Sequence, residues 1–160
     1  LLKSRGLYFG FHSATMGGLR GTGLFQLNMN YKMSVGYIFN NHYALGMGIG
    51  LEFIDGPFAP LFLENRYFFK NRLENSVYLV GAGGLSSGLG WPTSSGGFFN
   101  VGVGVQEYKF NGNTLAFELI YQYNQTRTED EVWSWEGNVD IIEITRAYNR
   151  VGLVVRYTFL

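Results

Sequence analysis

The chain contains no cysteine among its 160 residues, so neither a disulfide framework nor a thiolate metal site is open to it. Charge is scarce and balanced. Twelve Lys and Arg face 12 Asp and Glu, and charged residues make up 15% of the chain, against about 25% in an ordinary soluble domain. With no basic excess to neutralise phosphates, nucleic acid is excluded as a partner. No apolar run reaches about 18 residues, which excludes a membrane-spanning helix. No positively charged segment followed by an apolar one opens the chain, so an exported form is expected to have lost its signal peptide. Only two histidines occur, His12 and His42.

Glycine and aromatics are abundant: 23 Gly, and 18% Phe, Trp and Tyr. The final segment, Arg150 to Leu160, shows how they are used. Val151, Leu153, Val155, Tyr157 and Phe159 form one face of a period-two strand, and Arg150, Gly152, Val154, Arg156 and Thr158 form the other. A tilted strand of about ten residues crosses a bilayer, and aromatics at its end suit the interface.

Seven earlier segments follow the same pattern, at about Gly6–Ala14, Asn28–Phe39, Tyr43–Ile54, Pro60–Phe69, Ser76–Leu85, Phe98–Lys109 and Thr114–Thr126. The fourth is less regular because Asn65 falls on its apolar face. In the fifth, Tyr78, Val80 and Ala82 are assigned outward, with Gly81 and Gly83 inward. Short turns, including Asn111-Gly112, alternate with longer links at 15–27, 55–59, 86–97 and 127–147. The expected fold is all-β: one eight-stranded antiparallel up-and-down transmembrane barrel over residues 1–160. The short turns and both termini are then periplasmic and the long links extracellular.

A soluble eight-stranded barrel is the rival, and it would face bulk inward. Here the bulky apolar face opposes one of Gly mixed with charge. That second face carries Lys32, Glu52, Glu64, Arg66, Glu118, Arg150 and Arg156. Glycine beside long paired charges fills a narrow lumen, so these seven are the expected interior network.

The eight linked strands and the ending Val151-x-Leu153-x-Val155-x-Tyr157-x-Phe159 resemble the small outer-membrane barrels of Gram-negative bacteria, the OmpX, opacity-protein and OmpA-transmembrane-domain group. The Gly/Tyr/Asn-rich style is similar to outer-membrane barrels of Bacteroidota. The resemblance implies an outer-membrane location and a terminal signal, Tyr157 and Phe159, read by the barrel-assembly machinery. Leu160 departs from the usual terminal aromatic. Expected partners are outer-membrane lipid or lipopolysaccharide, that machinery, and a larger outer-membrane complex.

Catalytic chemistry is sparse. His12 and Ser13 are adjacent on a strand and point to opposite faces, so they form no nucleophile–base pair. His12 is expected to contact Glu52 or Glu118 structurally, and His42 to be a solvated turn residue. The Gly46-x-Gly48-x-Gly50 spacing lies inside a strand and is no phosphate loop. No cofactor or metal set stands out, although Glu129-Asp130-Glu131 is an acidic run in the last loop. Trp91, Trp133 and Trp135 fall in the outer loops, anchoring them to the barrel rim or binding a protein. The expected function is non-enzymatic: a plugged barrel presenting loops, as an accessory subunit or adhesin. The alternative is a barrel enzyme that modifies lipid A or lipopolysaccharide, with its site at the rim.

Overall fold

The computed structural model describes residues 5–19, 25–54, 56–71, 75–90, 94–110, 113–133 and 139–159; side chains of 94, 107–110, 129–133 and 139–140 are not described. Asn111-Gly112 and Leu160 fall outside the described residues.

Eight strands form a closed antiparallel barrel in chain order: β1 (Gly6–Leu19), β2 (Phe25–Ile38), β3 (Tyr43–Phe53), β4 (Pro57–Phe68), β5 (Ser76–Gly88), β6 (Ser94–Phe110), β7 (Asn113–Trp133) and β8 (Val139–Phe159). Each strand pairs with the next, and β8 pairs back onto β1 from Phe9↔Phe159 to Leu19↔Asn149. Closure leaves no sheet edge within the barrel, which is what allows a sheet to span lipid. No described helix is long and apolar enough to cross a membrane.

The alternation sorts the side chains inside-out. Leu7, Phe9, Met33, Met47, Ile49, Leu63, Val101, Leu119 and Leu153 all lie exposed on the outer wall, while buried polar and charged side chains fill the interior. At the end that carries both termini, the outward rings pair edge-on: Tyr37 with Phe39, Tyr67 with Phe69, and Tyr157 with Phe159, at 5.2, 5.7 and 4.7 Å between centroids. A second outward group, Phe99 with Tyr121 and Tyr123, lies toward the other end. Two aromatic belts enclosing an apolar band match the two interfaces of a bilayer.

Two sequence expectations are corrected. In β5 the facing is reversed: Tyr78 and Val80 are buried in the lumen, and Val77, Leu79 and Leu85 are exposed. Gly81 and Gly83 lie on the outer wall, where an added Cβ would meet nothing closer than 3.5 Å.

The long links are also shorter than expected. Strand structure covers 15–19 and 25–27, 86–88 and 94–97, and 127–133 and 139–147, and β4 begins at Pro57. Above a membrane both faces of a strand meet water, so polar and apolar positions stop alternating and the stretch reads as loop. β7 and β8 therefore rise as a two-stranded ribbon. Among the described residues, β6 pairs with β7 up to Thr128, and β1 with β8 up to Asn149. Beyond those points the pairs Glu129↔Glu143 to Trp133↔Val139 link the two strands to each other.

Candidate functional site: the charged interior

Glycine makes the interior possible. An added Cβ on Gly46 would run into the Tyr8 hydroxyl, and one on Gly48 into the Met33 carbonyl and the Phe62 ring. Gly104 faces the Tyr78 ring and Gly152 the Met16 sulfur in the same way. Tyr8, Met16, Phe62 and Tyr78 thus each lie against a position with no side chain. Lys32, Glu52, Glu64, Arg66, Glu118, Arg150 and Arg156 occupy the space that remains, all of them buried.

They form two layers. The layer nearer the termini is built on Arg156. Its Nη1 and Nη2 donate to the two oxygens of Glu64, 2.7 Å each, and its Nε donates to Glu118 Oε1 at 2.6 Å. The Tyr78 hydroxyl donates to that same Glu118 oxygen at 2.6 Å. A guanidinium presents its donors in a rigid fork, which suits it to bridge two carboxylates. Arg66 stacks over the Tyr8 ring at 4.4 Å, with its Nε 3.5 Å from Glu64.

The second layer is built on Glu52, which comes within 2.6 Å of Lys32 Nζ and 3.1 Å of Arg150 Nη2. Gln122 Nε2 donates to both Glu52 oxygens at 3.0 Å, and Asn124 links Gln122 and Arg150 through its side-chain oxygen. The Lys32 ammonium also lies 4.8 Å above the Phe98 ring, a contact that gains strength when water is excluded. A cavity of about 20 Å³ separates the layers, little more than one water molecule needs. Ile54, Phe58 and Tyr148 close the lumen at the ribbon end, and Ile38, Phe68 and Tyr78 pack toward the termini.

His12 does not contact Glu52 or Glu118 as expected; its Nδ1 faces Glu64 at 3.9 Å and its Nε2 lies 3.1 Å from Ser34 Oγ. Sequence reading missed this serine because it stands 22 positions away on β2. Serine, histidine and carboxylate in a row suggest a nucleophile and its base. Arg156 Nη1, however, lies 2.8 Å from the same His12 nitrogen. Arginine has only donors, so this lone pair is already engaged and unavailable to the serine proton. His12 and Ser34 are both buried, beside a cavity too small for a substrate. The arrangement suits scaffolding.

The remaining expectations sort as follows. His42 is a turn residue, with its Nδ1 bonded to the Phe68 carbonyl at 2.8 Å while Asn40 Oδ1 accepts from the His42 and Tyr43 backbone. Trp91 and Trp135 lie outside the described residues. Trp133 ends β7, and its side chain, like those of Glu129, Asp130 and Glu131, is not described. Tyr157 and Phe159 stack on the outer wall beside the termini. No group of three metal-ligating side chains is found among the described residues.

The closed barrel is matched in its fold by solved structures. Neisserial surface protein A aligns over 96% of this chain and 98% of its own, with a TM-score of 0.63 at 14% identity. The fold is that of the small outer-membrane barrels. Outer membrane protein AlkL, whose structure was determined in DMPC lipid bilayers, aligns over 99% of this chain and 92% of its own, with a TM-score of 0.56 at 11% identity. No protein-family model matches the sequence, and no curated protein does. At such low identity the shared property of these barrels is the architecture.

Proposed function

We propose that the protein is a non-enzymatic outer-membrane barrel whose interior is a structural plug and whose working part is the β7–β8 ribbon. Its termini face the periplasm, Tyr157 and Phe159 serve the assembly machinery, and the ribbon meets a protein partner outside the cell. That partner is a larger membrane assembly or, in adhesion, a foreign surface.

The ribbon carries this reading. Residues 139–148 of β8 pair with β7 on one side, and no described strand pairs with them on the other. Ile141 and Ile142 are 69% and 46% exposed, and as neighbours on a strand they point to opposite faces. An open edge with exposed β-branched side chains is a template for another strand.

The test is removal of residues 130–142 followed by pull-down from native membranes in mild detergent. The barrel below Thr128 and Asn149 keeps its pairings, so the truncated protein is expected to insert normally and to lose its co-purifying partner. An unchanged set of partners contradicts the proposal. The enzymatic alternative places His12 at the rim, whereas the ring is buried in the lumen. Lipid A or lipopolysaccharide modification that disappears in His12→Ala would restore it.

A further inference from the structure

An open groove of about 570 Å³ runs over the outer wall of β4 to β7, at the ribbon end of the apolar band. Register defines it as two rows of outward positions. Leu61, Leu85, Gly97 and Gln125 lie side by side, and Ala59, Ser87, Ser95 and Arg127 form the next row toward the ribbon. The row beneath carries Phe99 and Tyr123, which belong to the upper aromatic belt. The groove therefore begins at the top of the apolar band and rises through the level of lipid headgroups.

Its depth comes from small residues. Elsewhere the outer wall carries Leu, Met and Phe, but here Gly97 and two serines leave the backbone bare. A Cβ at Gly97 would meet nothing nearer than 3.8 Å. Polarity changes along the groove. Leu61 and Leu85, 58% and 71% exposed, line its lower part, and two hydroxyls and a guanidinium line its upper part. The one charge lining it is Arg127, whose Nε lies 3.6 Å from Glu143 on β8, both side chains being largely in solvent. An exposed pair of this kind is weak and readily exchanged for a better acceptor.

We propose that this groove holds one lipid of the surrounding membrane with an anionic phosphate headgroup. Its phosphate is taken by Arg127, Ser87 and Ser95, and an acyl chain lies over Gly97 between Leu61, Leu85 and Gln125. Charge complementarity and the order of apolar below polar select this occupant. Arginine presents a fork that fits phosphate oxygens, and serine hydroxyls donate to them. The inference rests on the membrane placement proposed above and is independent of the ribbon's partner.

The experiment reconstitutes the protein in phosphatidylcholine vesicles doped with phosphatidylglycerol. It then counts the lipids retained by each barrel in native mass spectrometry after gentle release. One retained phosphatidylglycerol per barrel, in preference to phosphatidylcholine, is the expected result. Arg127→Gln should lower that retention by about tenfold, the weight of one charge-assisted hydrogen bond. Gly97→Trp, which fills the groove, should abolish it. Glu143→Gln removes the competing carboxylate and should raise it. Leu153→Trp, on the outer wall of β8, should leave it unchanged. Equal retention in all four variants, or equal retention of both lipids, overturns the proposal. Failure of the wild-type protein to insert into vesicles would instead overturn the membrane placement itself.

Discussion

Arg156 is the side chain on which the interior most depends. It bridges Glu64 and Glu118 and also meets His12, so one substitution disturbs three partners. Arg156→Met leaves Glu118 buried without its guanidinium and Glu64 with the more distant Arg66, 3.5 Å away. Breaking a buried pair in this way costs about 3–5 kcal/mol. The expected result is a lower urea midpoint in vesicles, read as loss of the compact band in unheated gel samples. Adding Glu64→Gln and Glu118→Gln should restore most of the loss, because the penalty comes from the stranded charges. A single variant as stable as wild type would show that the layer is not a tightly coupled unit. Much of this chemistry is legible in the sequence, since every residue of the network stands on the face of its strand opposite the bulky apolar residues. The pairings are not legible. Glu64 meets Arg156 across 92 positions, and only the closed barrel brings them together.

Within the strands, glycine has two uses that composition alone does not separate. Gly48 faces inward against the Met33 carbonyl and Phe62, whereas Gly97 faces outward into open space. Gly48→Val should destabilise by about 1–3 kcal/mol, the usual range for overpacking a filled core, or prevent assembly. Gly97→Val should stay within about 0.5 kcal/mol of wild type. The same urea titration decides both, and equal effects would mean that the lumen is looser than its contacts imply. This double use explains why β2, β3 and β8 are read correctly while β5 is not. In β2 and β3 bulk and glycine separate cleanly onto opposite faces. In β5 Tyr78 turns inward to reach Glu118, and Gly81 and Gly83 turn outward. The ribbon is illegible for another reason: once a strand leaves lipid, nothing requires its faces to differ.

Taken whole, the described residues form a closed cylinder whose interior is filled by buried side chains. Eight strands leave room for side chains and little else. Here two ion layers and the Ile54–Phe58–Tyr148 cluster occupy that room. Planar bilayers containing the purified protein should show no steady conductance above the bare membrane, and resolved, reproducible current steps would contradict a plugged lumen.

The pairing of β1 with β8 has a consequence for how the molecule assembles. Seven of the eight strand pairings join sequence neighbours and can form as successive hairpins. The eighth brings Phe9 to Phe159, nearly the full length of the chain apart. Closing so long a loop carries the largest entropic cost, and nothing local compensates for it in advance. Arg156 stands on that seam beside His12, so its ion pair with Glu64 on β4 forms only when the last two edges meet, whereas its pair with Glu118 lies within the β7–β8 hairpin. Completion of the charge layer and closure of the cylinder are then one event. A chain whose C-terminal strand is not yet in place keeps a sheet edge open and two carboxylates without Arg156. Such a species is poorly suited to lipid, because the backbone groups of its open edge lack partners.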